Sequence, residues 1–186
     1  PGTVSLAIVL ALLKVFNIDL PILPIHSETL RVFIFLTGSL LVGELLQALS
    51  SILEPLISKS WGGKPSVILL RDDRYKQEIK VLKSHFGEDL AQESVFERAM
   101  AICNQSSLGR SEYFNILYAY ARSLFVGTLL LTLITATLMI YKHDYRTTLV
   151  WLLIGEAIIT LVLWNRAKRR GLSFAKEVMV QSYLSL

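Results

Sequence analysis

Two carboxylic acids stand inside apolar runs where a charge is hard to keep. Glu44 lies in Leu41-Val42-Gly43-Glu44-Leu45-Leu46-Gln47-Ala48, and Glu156 in Leu153-Ile154-Gly155-Glu156-Ala157-Ile158. A charged side chain at the middle of a bilayer costs about 2.5–3.5 kcal/mol on insertion scales, so such groups face a protein neighbour or water. Around Glu44, the residues Ser39, Gly43, Gln47, Ser50 and Glu54 recur at i, i+4, i+8, i+11 and i+15. That spacing predicts one small or polar stripe along a helix, of the kind that lets helices approach closely and hydrogen-bond across the contact. Arg122 is a third ionisable group near the end of an apolar run. The intramembrane candidates are therefore Glu44, Gln47, Ser50, Arg122 and Glu156. Four kinds of chemistry are open to the acids: hydrogen bonding between helices in the protonated form, ion pairing of one of them with Arg122, lining of a hydrated pore, or contact with a bound ligand or partner helix.

Groups for enzymatic chemistry are sparse. His85 and Cys103 are the familiar candidates in the polar part of the chain, but they fall on different predicted helices and no third group is signalled. Both read more simply as a helix-end polar residue and a small packing residue. Asp72 with Glu78-Ile79-Lys80 loosely imitates a nuclease acid–x–lysine motif, yet that chemistry uses a strand and the periodicity here is helical. No phosphate-binding glycine loop, zinc-protease motif or calcium loop occurs, and the three histidines are scattered. One cysteine excludes an internal disulfide. The expectation is a protein that is not an enzyme and takes no metal or cofactor.

The elements that must position these residues follow from hydropathy. The chain has 186 residues, 53% of them apolar and only 18% charged, against roughly 25% charged in soluble domains. Mean hydropathy is +0.50. The fold class expected is all-α, a polytopic membrane protein with four transmembrane helices, a small helical region between helices 2 and 3, and an amphipathic C-terminal helix. The spans are placed at 3–25, 31–53, 114–141 and 147–164. A crossing needs about 20 apolar residues. The first run is strongly apolar only to Phe16 and meets Pro21 and Pro24, so it is the least secure. It has no basic leader and no small-residue cleavage site, and reads as a retained segment. Trp151 and Trp164 flank the fourth span as interfacial anchors.

Residues 54–113 form the polar region. Val67-Ile68-Leu69-Leu70 reads as extended or as resting on the membrane. Asp72 or Asp73 caps the following helix, which carries Tyr75, Ile79, Leu82 and Phe86 on one side and ends at Gly87. Those four are the expected partner-binding surface. Ser94 and Glu97 have the spacing of a capping box for a further helix. The tail, 165–186, opens with Asn165-Arg166-Ala167-Lys168-Arg169-Arg170 and reads as a short amphipathic helix after Gly171.

Charge sets the orientation. Nine Lys/Arg lie between spans two and three and five in the tail, whereas the opposite loops carry only Arg31, Lys142 and Arg146, with Lys14 near an edge. The positive-inside rule places the polar region and the tail in the cytoplasm. Lys59, Lys64, Arg166, Lys168, Arg169 and Arg170 abut membrane ends, where anionic headgroups attract each basic residue by about 1 kcal/mol. Lipid is the expected partner of these charges and nucleic acid is not.

The plan resembles small polytopic bacterial inner-membrane proteins of uncharacterised families, some associated with phage defence. The stretches that carry the resemblance are Gly43-Glu44-Leu45-Leu46-Gln47-Ala48-Leu49-Ser50-Ser51-Ile52-Leu53-Glu54, Phe114-Asn115-Ile116-Leu117-Tyr118-Ala119-Tyr120-Ala121-Arg122-Ser123-Leu124 and Phe174-Ala175-Lys176-Glu177-Val178. It implies an oligomeric membrane effector or sensor acting with a cytoplasmic partner, and it carries over no activity. The combined expectation is a homo-oligomer in the bacterial cytoplasmic membrane that forms or gates a pore, or senses membrane state for a soluble protein. The alternative is an anchor that recruits such a protein through its cytoplasmic region, and a membrane-embedded enzyme is the third reading.

Overall fold

A computed structural model describes residues 2–3, 28–87, 91–105, 110–141 and 145–185. Apart from Thr3, the expected first span at 3–25 lies outside these residues. All described elements are helical. They are α1 (Glu28–Ile52), α2 (Glu54–Ser60), α3 (Pro65–Leu70), a 3₁₀ turn (Asp73–Tyr75), α4 (Lys76–Phe86), α5 (Gln92–Gln105), α6 (Arg110–Tyr141) and α7 (Arg146–Leu184). Three of them, α1, α6 and α7, are long and apolar enough to cross a membrane, with mean hydropathy of 1.9, 2.1 and 1.9 over their most apolar windows.

The chain divides into two units. The first takes Pro1–Ile52 and Arg122–Trp164. Its outside is apolar: Leu40, Leu45, Trp151, Leu161 and Val162 are all more than 60% exposed. That is the reverse of a soluble domain and suits hydrocarbon as the surrounding medium. Acidic Glu28 in the first turn of α1 complements the helix dipole. Pro55 lacks the N–H that would continue the ladder, so α1 stops at Ile52 and α2 starts afresh with proline in its first turn. Gly2 sits directly against α1 at Ser39 and Gly43, where a Cβ would fall 2.6 Å from the Gly43 nitrogen and collide with the Ser39 carbonyl. The small end of the predicted stripe thus receives the chain's own second residue.

The second unit takes Leu53–Ala121 and Asn165–Leu186. It has its own core, built from Leu69 and Leu70 of α3, Leu82 of α4, Val95, Ala99 and Cys103 of α5, and Ala175, Val178 and Met179 of α7. α3 and α4 both pack on α5. Phe174 is central: its ring stacks on Tyr118 at 6.3 Å with 11° between planes, and meets Phe96 edge-on at 6.3 Å. Gly171 is required by close approach. A Cβ there would lie 2.8 Å from the Pro65 ring and 3.0 Å from the Tyr118 ring.

Several expectations need correction. Val67–Leu70 is helical and not extended, because Pro65 fixes a first helical turn after the left-handed glycines Gly62 and Gly63. α5 begins at Gln92, so Ser94 lies inside the helix and does not cap it. The fourth span and the tail form one 39-residue helix that runs through Gly171 without a break. Gly171 was read as punctuation, whereas it is a packing residue. Asp72 does act as a cap, accepting from the Arg74 N–H at 3.1 Å, although the element it caps is the 3₁₀ turn.

Candidate functional site in the apolar unit

The predicted stripe on α1 separates into two faces. Ser39, Leu46 and Ser50 are buried and Gly43 is half-buried. Gln47 is exposed, as is Glu44. The reason is helical drift: at 3.6 residues per turn the inward positions after Ser39 and Gly43 are 46 and 50, and a residue at i+8 rotates out. Gln47 therefore does not share the face of Ser50. Glu44 and Gln47, at i and i+3, share an outer face with Leu40, Leu41 and Leu45, which are also exposed.

Arg122 and Ser50 come together. The buried Arg122 guanidinium donates to Ser51 Oγ at 3.1 Å and to Ser50 Oγ at 3.4 Å, and Ser50 lies 3.3 Å from Ser123 Oγ. Three serines of two helices thus converge at one buried cation. Ser50 also back-bonds to the Gln47 carbonyl at 2.8 Å, which holds its hydroxyl in place.

Glu156 has a different neighbour. Thr135 Oγ1 donates to Glu156 Oε1 at 3.0 Å, and Thr135 is fully buried. Four residues further along α7, Thr160 Oγ1 lies 3.4 Å from Thr132 Oγ1. The α6–α7 contact is therefore a short polar ladder of three threonines and one acid. Among the described residues, Glu156 Oε2 is buried with no hydrogen-bond partner. Sequence spacing does contain the α6 side of this ladder, since Thr132 and Thr135 stand three residues apart along α6. Nothing in the spacing named Glu156 as the group they meet.

The remaining predicted residues belong to the second unit. Lys59, Lys64, Arg166 and Arg169 are exposed, Arg170 is half-buried, and Lys168 donates from Nζ to the Trp61 carbonyl at 3.4 Å. Within the expected partner surface, Leu82 is fully buried in the chain's own core, and Tyr75, Ile79 and Phe86 are half-buried. Leu82 is thus a core residue, because this side of α4 packs on α5. Glu54, which the stripe predicted, instead accepts from the Tyr118 hydroxyl at 3.0 Å. His85 is exposed at the end of α4, and Cys103 is buried with its thiol on the Val178 carbonyl at 3.2 Å. Burial pushes the Cys103 thiol above its ordinary pKa. Among the described residues no group of three His, Cys, Asp or Glu side chains could hold a metal ion.

These features define an α-helical protein with three helices able to cross a membrane and polar groups set within them. The chain matches no protein-family model, no curated protein and no solved structure.

Proposed function

We propose that the chain is a non-enzymatic, homo-oligomeric protein of the bacterial cytoplasmic membrane that forms or gates a pathway through it. The observation that carries the reading is the outer face of α1, where Glu44 and Gln47 are exposed among exposed leucines. Hydrocarbon does not hold a carboxylate and an amide side by side at low cost. A second copy laid on this face covers both, and repetition around a symmetry axis sets the acids in a ring. Glu156, the other mid-span acid, lies against Thr135, and its second oxygen has no hydrogen-bond partner among the described residues. The basic residues at 59, 64, 166, 169 and 170 suit a cytoplasmic second unit resting on anionic headgroups. Burial and a raised pKa make Cys103 a poor nucleophile, which supports a non-catalytic role. The sensing role and the link to phage defence belong to this proposal through the resemblance alone.

The test is membrane potential during controlled expression, followed with a potential-sensitive dye. The wild-type chain is expected to depolarise the membrane, and Glu44→Gln or Glu156→Gln to weaken the effect. Full depolarisation by both variants, with the oligomer intact, would remove the acids from the pathway. The anchor reading is favoured by a separate feature, the groove between Val81, Ser84, His85, Tyr183 and Leu184 on the second unit. Under that reading the wild-type chain leaves the potential unchanged and holds a soluble protein that is lost on truncation of the groove.

A further inference from the structure

The second unit contains a cavity of about 280 Å³ where α5, the start of α6 and the C-terminal part of α7 converge. Its polar lining comes from Asn104 of α5 and from Ser111, Glu112 and Asn115 of α6. Ser111 and Asn115 fall at i and i+4 on one face of α6 and Glu112 lies beside them, so the first turns of α6 supply a hydroxyl, a carboxylate and an amide. Met100 and Phe174 supply the apolar wall.

The chemistry of this lining is selective. Among the described lining residues Glu112 is the one that is formally charged, so they offer no positive charge to neutralise a phosphate or a carboxylate ligand. The nearest basic residue in sequence, Arg110, has its Nε 3.1 Å from Glu177 Oε1. Among the described residues Glu112 forms no ion pair, and Asn104, Ser111 and Asn115 form no side-chain hydrogen bond to protein. These side chains therefore have acceptor oxygens to give: two from the carboxylate, one from each amide and one from the hydroxyl; the amides and the hydroxyl can also donate, so the preference for a cation is set by Glu112, the one acceptor-only group among the described lining residues. Cys103, also in the wall, has its proton on the Val178 carbonyl and turns out no strong donor. A flat heterocycle would need a free aromatic face, yet the Phe174 ring is already stacked on Tyr118 and edged by Phe96.

We propose that this cavity is a binding site for an aliphatic amine of the polyamine class. The ammonium is held by Glu112 with the amide oxygens of Asn104 and Asn115, and the methylene chain lies along Met100 and the edge of Phe174. An ammonium has three donors and no acceptor, which complements a carboxylate flanked by two amide oxygens. The volume lies just below the usual range for ligand pockets, about 300–1,000 Å³, which favours a slender ligand over a bulky one. The site belongs to the second unit and does not rest on the pathway proposed for the first, so Glu44→Gln is expected to leave amine binding unchanged.

The experiment is titration calorimetry on the full chain in a non-ionic detergent, with spermidine as probe and guanosine and inorganic phosphate as comparisons. Saturable binding of one spermidine per chain is expected. Glu112→Gln should weaken it about tenfold or more, in line with the loss of a charge-assisted hydrogen bond. Asn115→Ala should weaken it several-fold, and guanosine and phosphate should not bind. Glu112 and Asn115 are both exposed, so neither change threatens the fold. The proposal is overturned if spermidine fails to saturate, if both variants bind it as wild type does, or if guanosine or phosphate binds in its place.

Discussion

Gly171→Ala tests the packing of the second unit, because the structure assigns the glycine a steric reason and not a conformational one. It sits inside the 39-residue helix α7, where alanine would ordinarily stabilise by about 1 kcal/mol. Against that gain, the new methyl would meet the Pro65 ring at 2.8 Å and the Tyr118 ring at 3.0 Å. Neither ring yields easily. Pro65 fixes the first turn of α3, and Tyr118 is held by its bond to Glu54 and its stack on Phe174. Overpacking of this kind costs about 1–3 kcal/mol, so the net change is a destabilisation of up to about 2 kcal/mol. Gly155 is the internal control, since a Cβ there meets nothing within 4 Å. Gly155→Ala should leave stability unchanged or raise it by up to about 1 kcal/mol. Trp61 packs at 6.4 Å from Tyr118 and reports on the contact. Its fluorescence can be followed on heating in a Trp151→Phe, Trp164→Phe background. At roughly 4–8 °C per kcal/mol for a unit of this size, Gly171→Ala should melt several degrees below the parent, and Gly171→Val lower still. A melting point for Gly171→Ala at or above that of Gly155→Ala would refute the close approach.

Other expectations follow from the same contacts. Leu82→Ala empties a fully buried site and should cost about 2–5 kcal/mol in denaturant unfolding of the whole chain, whereas Val81→Ser on the exposed face should change it by less than about 0.5 kcal/mol. Arg122→Ala removes the donor to Ser50 and Ser51 and should cost about 1.5–3 kcal/mol for each lost charge-assisted bond that is not replaced by water; lower resistance to unfolding by ionic detergent measures it, and Arg122→Lys should recover part. Cys103 gives a pH dependence. Its folded pKa is raised by burial, so its contribution is complete below the ordinary value of 9.0 and is lost as pH rises towards the folded value. The unfolding midpoint of the wild-type chain should therefore fall above that pH relative to Cys103→Ala, and parallel pH profiles would speak against a raised thiol.

Hydropathy made the long helices legible, because length and apolarity suffice to predict a helix able to cross a bilayer. The polar insertions were equally visible: Glu44, Ser50, Arg122 and Glu156 stand out by residue type alone. Their partners were harder to read. Thr135 and Glu156 are 21 residues apart and Ser51 and Arg122 are 71 apart, and helix periodicity says nothing about which faces of separate helices meet. Gln47 was misplaced because a spacing of eight residues drifts about 80° around the helix, against about 20° for seven. Gly171 misled for another reason. A glycine near a charge cluster is as consistent with a helix end as with a contact, and only the rings of Pro65 and Tyr118 decide between them. Leu82 was read as one member of a docking stripe, but a stripe alone does not tell a core from a docking surface, and the full burial of Leu82 decides that position.

Under the proposed function another copy of the chain covers Glu44 and Gln47. Disulfide cross-linking in native membranes tests it most directly, using Gln47→Cys in a Cys103→Ser background, with Leu133→Cys and Leu161→Cys as exposed apolar controls on α6 and α7. A covalent dimer that forms rapidly at position 47 and only slowly at the two controls is the predicted result. No dimer at 47, or equal dimer at all three positions, would contradict the account.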